Sequence, residues 1–211
     1  MITISRLYDD YATASRAVDE LERAGIPHSD ISIVASNSEG WYDRDRTTSG
    51  VDPAHDRDHD GRDDRAEGAA AGAGIGATLG GVAGLLAGLG MLAIPGIGPV
   101  VAAGWLASTA AVAAVGGTAG GLIGALTQSG VNEREANVYA EGVRRGGTLV
   151  TARVPDTDRA RYEAILDRSA VNIADRSAIW ERNGWNRFDP AAPAYTPDEI
   201  RRERETYRTR M

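Results

Sequence analysis

The sequence contains no cysteine and no lysine, and only 6% of its residues are aromatic. Without cysteine the chain can form neither a disulfide nor a thiolate metal site, which leaves its redox compartment open. All of its positive charge outside the termini and histidines is arginine, and the net charge at neutral pH is −7. A nucleic-acid-binding protein is expected to carry a basic stripe, so this charge balance argues against nucleic acid as a partner.

Several kinds of chemistry are also missing. There is no phosphate-binding GxxxxGKS/T loop, and the only histidines are His28, His55 and His59. Two of them lie in a charged stretch and His28 follows Pro27, so a Ser/His/Asp constellation is not expected. The start of the chain, MITISRLYDD, lacks the basic and apolar regions of a cleavable signal, and we therefore expect the water-exposed parts to stay in the cytoplasm. We predict that the protein is not an enzyme.

Charge itself is absent from one long stretch, since residues 68–132 form a run of 65 uncharged residues. Glycine recurs there at four-residue intervals, at Gly72, Gly76, Gly80, Gly84 and Gly88, and again at Gly116, Gly120 and Gly124. This spacing aligns the glycines on one face of a helix. Each glycine costs a helix in water about 1 kcal/mol relative to alanine, so the face needs a partner that can approach closely.

We therefore predict a glycine-zipper helical hairpin over residues 68–128, with helical spans at residues 70–94 and 100–128. The segment IPGIGP between them would reverse the chain, because its prolines lack backbone donors and its glycines permit a tight turn. About 20 residues cross a bilayer core, so two membrane spans fit. Packing of the helices against other copies without lipid, or a disordered Gly/Ala tract, are the alternatives.

Both sides of the uncharged stretch have α/β patterns. Residues 2–8 and 31–35 predict strands around a helix that ends at Gly25 and Pro27, and a parallel strand pair is the expected result. The apolar face of this helix is Ala14, Ala17, Val18, Leu21 and Ala24. After the stretch, Asn132 can cap a helix whose buried face is Ala136, Tyr139, Ala140 and Val143. Residues 148–154 predict a third strand that ends at Pro155, and a helix and a short fourth strand at residues 171–174 follow. Two βαβ halves of this kind predict a four-stranded ferredoxin-like sheet with one added helix.

The linker at residues 38–67 is rich in Asp, Arg and His and is most simply a solvated tether. It also contains a match to the D-x-D-x-D-G-x5-E calcium loop, at Asp56, Asp58, Asp60, Gly61 and Glu67. Asp63 stands where such loops place an apolar anchor, and an aspartate-rich tract produces chance matches. Calcium is the one cofactor that the sequence suggests.

Three stretches resemble a known family: AVDELERAGIPHSDISIVAS, GVNEREANVYAEGVRRGGTLVTARV and IWERNGW. They look like the bacterial general stress protein family related to the heat-induced, YflT-type domain, whose relatives often carry a Gly-rich apolar segment between the halves. The resemblance covers residues 1–37 and 129–185. It implies a small ferredoxin-like α/β domain, a role in the stress response and no assigned enzymatic activity, and it supplies no catalytic residue.

The predicted fold class is thus α+β, a ferredoxin-like four-stranded sheet (βαβ + αβαβ) interrupted by a Gly-rich helical hairpin. Its parts are residues 1–37 and 129–175 for the sheet domain, 38–67 for the linker, 68–128 for the hairpin and 176–211 for the tail. In the tail, Trp180, Trp185 and Phe188 either cover the end of the sheet or sit among lipid headgroups. Thr196, Pro197 and Glu199 predict the capped start of a last helix with hardly any apolar face.

Three functions are compatible with these features. The favoured hypothesis is a non-enzymatic stress-response protein whose self-associating hairpin inserts in the bacterial inner membrane, with a cytoplasmic domain that binds or senses an unknown protein or small ligand. The second is an oligomeric, membrane-permeabilising pore. The third is a cytoplasmic homo-oligomeric regulatory module that binds a ligand, with the hairpin buried between copies.

Overall fold

The computed structural model describes residues 1–42, 89–107, 109 and 121–208. Its strands are β1 (Ile2–Tyr8), β2 (Ile31–Ser36), β3 (Gly90–Ile94), β4 (Gly98–Gly104) and β5 (Thr148–Val154). Its helices are α1 (Tyr11–Arg23), α2 (Gly121–Gln128), α3 (Glu133–Arg144), α4 (Arg159–Leu166), α5 (Ile173–Arg182) and α6 (Pro197–Arg208). The fold is mixed α/β, with helices packed on an antiparallel sheet.

The sheet has five strands in the order β1-β5-β2-β4-β3, and every neighbouring pair is antiparallel. In β5, Val150 lies opposite Arg6 of β1 and opposite Ile33 of β2. The strands β1 and β2 therefore point the same way, as the βαβ pattern predicts, but β5 lies between them. The predicted strand number of four was wrong, because β3 and β4 extend the sheet beyond β2.

Helices cover both faces of the sheet. On one face Val18 and Leu21 of α1 and Leu166 of α4 pack in a single core cluster with Ile33 and Val150. On the other face α2 and α3 pack over β2, β4 and β5, and their core cluster contains Leu122, Leu126, Tyr139, Val143, Val34, Val100 and Leu149. Because β2 has helices on both faces and strands on both sides, all six of its residues are buried.

The helices flanking these strands begin and end where the sequence predicts. The side chain of Asn132 accepts a hydrogen bond from the backbone of Arg134 and caps α3. After α1 the chain turns at Gly25, whose φ of 102° is left-handed and suits glycine. The predicted buried face of α3, from Ala136 to Val143, is buried as well. Local sequence patterns are therefore sufficient to predict the ends and the buried faces of α1 and α3.

The predicted helical hairpin was wrong over residues 90–104, which form the β3–β4 hairpin. Its register runs from Gly90 opposite Ala102 to Ile94 opposite Gly98. The predicted chain reversal is confirmed, since Ile97 N donates to Ile94 O at 3.0 Å and Gly96 has a φ of 75°. A short run of small apolar residues is compatible with a strand as well as with a helix, and pairing with the edge of β2 selects the strand.

The later part of the predicted second span is helical, as α2, but it belongs to the α/β domain. Leu122, Ala125 and Leu126 are buried, in the cluster that α3 also forms. Residues 100–128 therefore do not form one continuous membrane helix, since they include both β4 and a helix of the core. Within the described residues, no helix is long and apolar enough to cross a membrane.

The predicted fourth strand at residues 171–174 was also wrong. Val171 N donates one hydrogen bond of 2.7 Å to Leu7 O at the edge of β1. The side chain of Asn172 then accepts from the backbone amides of Ala174 and Asp175, and α5 begins. Asparagine at this position favours the helix cap over a continued strand.

Candidate functional site

The densest group of buried charges lies at the carboxyl end of α3. Glu141 is 0% exposed, and its carboxylate accepts from Arg144 Nη1 at 3.2 Å and from Arg145 Nε at 2.6 Å. Both arginines also sit in the last turn and beyond it, where positive charge is favourable. A buried carboxylate is costly unless it is paired, and here two guanidinium groups supply the pairing.

Helix α6 adds a second carboxylate to the same group. Arg145 Nη1 contacts Glu203 Oε1 at 2.6 Å, so one arginine joins α3 to α6. Trp180 Nε1 donates to Glu203 Oε1 at 3.2 Å and to Tyr207 Oη at 2.6 Å, and the Tyr207 hydroxyl donates to Glu203. The guanidinium of Arg145 also lies 4.8 Å from the centre of the Trp180 ring. Helices α3, α5 and α6 therefore meet around Arg145 and Glu203.

A third arginine ties α5 to the end of β1. The guanidinium of Arg176 lies 3.4 Å from the centre of the Tyr207 ring, and its Nη2 donates to Asp9 Oδ1 at 2.9 Å. Arg176 is only 7% exposed, and this contact with aromatic and carboxylate groups compensates for its burial. We call Asp9, Glu141, Arg145, Arg176, Trp180, Glu203, Arg204 and Tyr207 the C-terminal cluster.

Arg204 closes the cluster on its other side. It donates to Glu39 Oε2 at 2.6 Å and to the carbonyl of Gly146 at 3.0 Å. One turn earlier on α6, Ile200 is 1% exposed and covers Gly146, where an added Cβ would lie 2.4 Å from Ile200 Cγ2. The glycine that ends α3 thus permits the close approach of α6.

Burial shifts the protonation equilibria of the cluster. Desolvation raises the pKa of Tyr207, and the hydrogen bond to Glu203 adds to that rise. Burial alone would lower the pKa of Arg145, but the charges of Glu141 and Glu203 and their hydrogen bonds raise it overall. At neutral pH the phenol is therefore neutral and the guanidinium charged, which is the state that the observed hydrogen bonds require.

The space inside the cluster is small. A cavity of about 10 Å³ lies among Leu7, Tyr8, Gly142, Arg176 and Tyr207. This is about the room that one water molecule needs, and far below the size of a pocket for a small-molecule ligand. The carboxylates of Glu141 and Glu203 are already bound to arginine. The geometry holds the C-terminal helix on the sheet domain and leaves no substrate cleft there.

Most of the residues predicted as helix contacts or metal ligands lie outside the described residues. These are Gly72, Gly76, Gly80, Gly84, Gly88, Gly116 and Gly120, and the calcium-loop residues Asp56, Asp58, Asp60 and Glu67. Gly124 is described, on α2, and it is exposed; a Cβ added there would meet nothing within 4 Å. Its predicted close contact is therefore not made within the described chain. Among the described residues, no group of three or more His, Asp or Glu side chains could hold a metal ion.

Of the three tail aromatics, Trp180 and Phe188 are buried against the domain, as in the alternative that has them cover the sheet, whereas Trp185 is half-buried with its ring 5.6 Å from that of Trp180. Trp180 is 1% exposed and Phe188 is 4% exposed, and Phe188 belongs to the core cluster beneath α2 and α3.

The capping box of α6 is confirmed, with Thr196 N donating to Glu199 Oε2 at 2.8 Å. The docking of α6 was missed. The sequence signal for this docking is the spacing of Ile200, Glu203, Arg204 and Tyr207, which places them on one helical face. Only two of these four side chains are apolar, so the signal is weak.

Comparison of the chain with protein-family models, with curated proteins and with solved structures found no match.

Proposed function

We propose that this protein is a non-enzymatic interaction module that works as a homo-oligomer. The observation that carries the proposal is the position of the uncharged stretch, whose residues 89–104 and 121–128 are part of the folded α/β domain. The stretch therefore contributes uncharged residues to the surface of the domain, where Gly90, Met91 and Ala93 are exposed. Such a surface suits contact with another copy.

The non-enzymatic part of the proposal is supported by the C-terminal cluster. Its carboxylates are bound to arginine, its tyrosine is neutral, and its cavity has room for one water molecule. A general acid or base needs a group that can reach a substrate, and this arrangement offers none. We infer that the cluster has a structural role, holding α6 on the domain so that the module keeps one shape.

We further infer that the domain is a variant of the ferredoxin-like arrangement. The strand order β1-β5-β2 follows the split βαβ pattern. Along the chain, α1 connects β1 to β2, and α4 follows β5. In the ferredoxin-like arrangement a fourth strand pairs with β1. In this variant, Val171 donates one backbone hydrogen bond to β1 at that place, and the β3–β4 hairpin extends the sheet beside β2. This assignment favours the predicted relationship to bacterial general stress proteins and a role in the stress response.

A second candidate function is attachment to the bacterial inner membrane, with the α/β domain in the cytoplasm. It is favoured by the uncharged residues 68–88, where glycine recurs at every fourth position from Gly68 to Gly88. Because residues 89–104 belong to the sheet, the lipid contact would fall on the uncharged residues outside it.

Fractionation of cells that express the full chain tests both functions. The interaction module is expected in the supernatant after a carbonate wash, and light scattering after gel filtration without detergent should give a defined oligomer. Retention in the membrane pellet would favour attachment instead. A monomer at every concentration would contradict the homo-oligomer.

A further inference from the structure

We propose that two copies of the chain associate through β3, edge to edge, and form one continuous ten-stranded sheet. The inference rests on the proposed homo-oligomer and specifies its contact. It begins with the position of β3, which pairs with β4 on one side and is the last strand of the sheet that the structure describes. Met91, in the middle part of this edge, is 54% exposed.

The backbone of β3 is oriented for such pairing. Pro99 O of β4 accepts a hydrogen bond of 2.8 Å from Asn37 N, so the polar backbone groups of Pro99 point towards β2. Ala93 lies opposite Pro99 and therefore directs its own N–H and C=O away from β4, as does Met91 two residues earlier. The edge thus presents two donors and two acceptors at alternate residues, which is the pattern that an antiparallel strand requires.

The side chains of β3 fit a second copy of the same strand. In an antiparallel pair centred on Leu92, the two copies of Leu92 face each other, Met91 faces Ala93, and Gly90 faces Ile94. Each large side chain then meets a small one, and at the centre two leucines meet on the face where Leu92 already packs against the core cluster. The four outward backbone groups of Met91 and Ala93 in each copy would form four hydrogen bonds between the two chains.

Charge also favours a second copy as the occupant. Residues 68–132 contain no charged side chain, so no like charges face each other between the two β3 strands themselves. The register of β3 on β4 has no bulge, and β3 contains neither proline nor a charged residue. Such features normally prevent strand addition at a sheet edge, and β3 has none of them. Just before the strand, the Tyr42 hydroxyl donates to Leu89 O at 2.9 Å, so the pairing is confined to Gly90–Ile94.

The absence of natural cysteine makes the contact easy to test. In the proposed register, Cys residues introduced as Leu92→Cys would lie opposite each other with Cα atoms about 4.5 Å apart, within reach of a disulfide. Gly90→Cys is the matched control. A Cβ at Gly90 meets nothing within 4 Å, but the two copies would be separated by four residues, about 13 Å along the strands. Mild oxidation of the full chain should therefore yield a covalent dimer for Leu92→Cys and not for Gly90→Cys.

A backbone variant provides an independent measurement. Ala93→Pro removes an amide that points away from β4, so the hairpin keeps its own hydrogen bonds while the dimer loses two. Its dimer dissociation constant should rise about 10- to 100-fold, measured by analytical ultracentrifugation, whereas Ala93→Ser, which keeps the amide, should change it by less than about threefold.

The outcomes separate the two proposals. A wild-type oligomer that neither cross-links at Leu92→Cys nor weakens with Ala93→Pro would overturn the β3 contact and leave the homo-oligomer standing. Equal cross-linking at both cysteine positions would overturn the register. A wild-type monomer would overturn both the contact and the homo-oligomer, and would point to another segment of the chain as the cover of this edge.

Discussion

The two edges of the sheet are finished in different ways. At β1, Arg6 pairs with Asp167 and lies 3.8 Å from Glu163, and Val171 donates to the backbone of Leu7. The C-terminal cluster closes the nearby end of the strand through Asp9 and Arg176. At β3, by contrast, the residues are uncharged and three of the five are exposed. Charged side chains hinder the addition of another strand, so charge blocks the β1 edge, whereas β3 has no charged residue to do so.

We call the β3 end of the sheet the uncharged side and the β1 end the closed side. The difference between them predicts which interactions stabilise each side. The uncharged side is held by backbone pairing and apolar packing, whereas the closed side also depends on paired charges and on tyrosines that stay neutral.

On the uncharged side, Gly104→Ala should have the largest effect. Gly104 has a φ of 86°, and an added Cβ would lie 2.2 Å from the carbonyl oxygen of Ile31. Because the neighbour is backbone of β2, the β4–β2 pairing must shift, and we expect a loss of about 3 to 5 kcal/mol in the free energy of unfolding. Urea denaturation measures it. Gly90→Ala, where the added Cβ meets nothing, is the control and should change stability by less than about 1 kcal/mol. Similar losses for both variants would mean that β4 does not lie against β2 as described.

On the closed side, Glu141→Gln should cost about 2 to 4 kcal/mol of unfolding free energy. The change removes the buried charge that faces Arg144 and Arg145, and it leaves part of their positive charge uncompensated. Glu20→Gln is the matched control, since Glu20 pairs with Arg168 at an exposed site and should contribute less than about 0.5 kcal/mol. If Glu141→Gln were as stable as this control, the cluster would not be what holds the end of α3.

Alkaline pH should weaken the closed side more than the uncharged one. Burial raises the pKa of Tyr8 and Tyr207, and it raises the pKa of Tyr139 to about 12. Because these folded-state values lie above the unfolded value near 10, their contribution to stability is complete below pH 10 and is lost as pH rises towards 12. Each such tyrosine should cost about 1 kcal/mol at pH 11.

Chemical denaturation at pH 8 and pH 11, with tyrosinate absorbance recorded in parallel, measures this loss. Tyr207→Phe should reduce the slope of stability against pH, because one protected phenol is removed. Ionisation of all tyrosines near pH 10 in the folded protein would contradict the buried, neutral phenols.

The smallest effect is expected for Gly124→Ala. Gly124 lies at an exposed position of α2 where an added Cβ has open space, so alanine should stabilise the helix by about 0.5 to 1 kcal/mol. Gel filtration of the same variant tests the predicted glycine contact between copies. An unchanged oligomer with a raised thermal midpoint is the expected result, and a smaller oligomer would show that Gly124 does pack against a second chain.

The sequence predicted the elements whose side chains differ strongly from one face to the other. In α1 and α3 the apolar residues lie on one face and the charged residues on the opposite face, and Asn132, Gly25 and Pro155 mark ends. Those signals are local, so they do not depend on the rest of the fold.

The β3–β4 hairpin has no such signal. Glycine, alanine and valine carry little information about which face is buried, and a run of them is compatible with a helix or a strand. Only the free side of β2 decides between the two, and that is a long-range contact. For α6, too, the face that docks combines one aliphatic residue, Ile200, with Glu203, Arg204 and Tyr207, which in the sequence alone look solvated.

The central claim is that residues 90–104 form a β-hairpin within the α/β domain, and nuclear magnetic resonance of the labelled full chain tests it most directly. Met91 lies opposite Val101, and Ala93 lies opposite Pro99, in pairs without direct hydrogen bonds. The Hα atoms of such pairs are close, so strong Hα–Hα Overhauser effects are predicted between Met91 and Val101 and between Ala93 and Pro99. Their absence, together with Hα to HN effects at a spacing of three residues along 90–94 and 98–104, would show helices there and contradict the account.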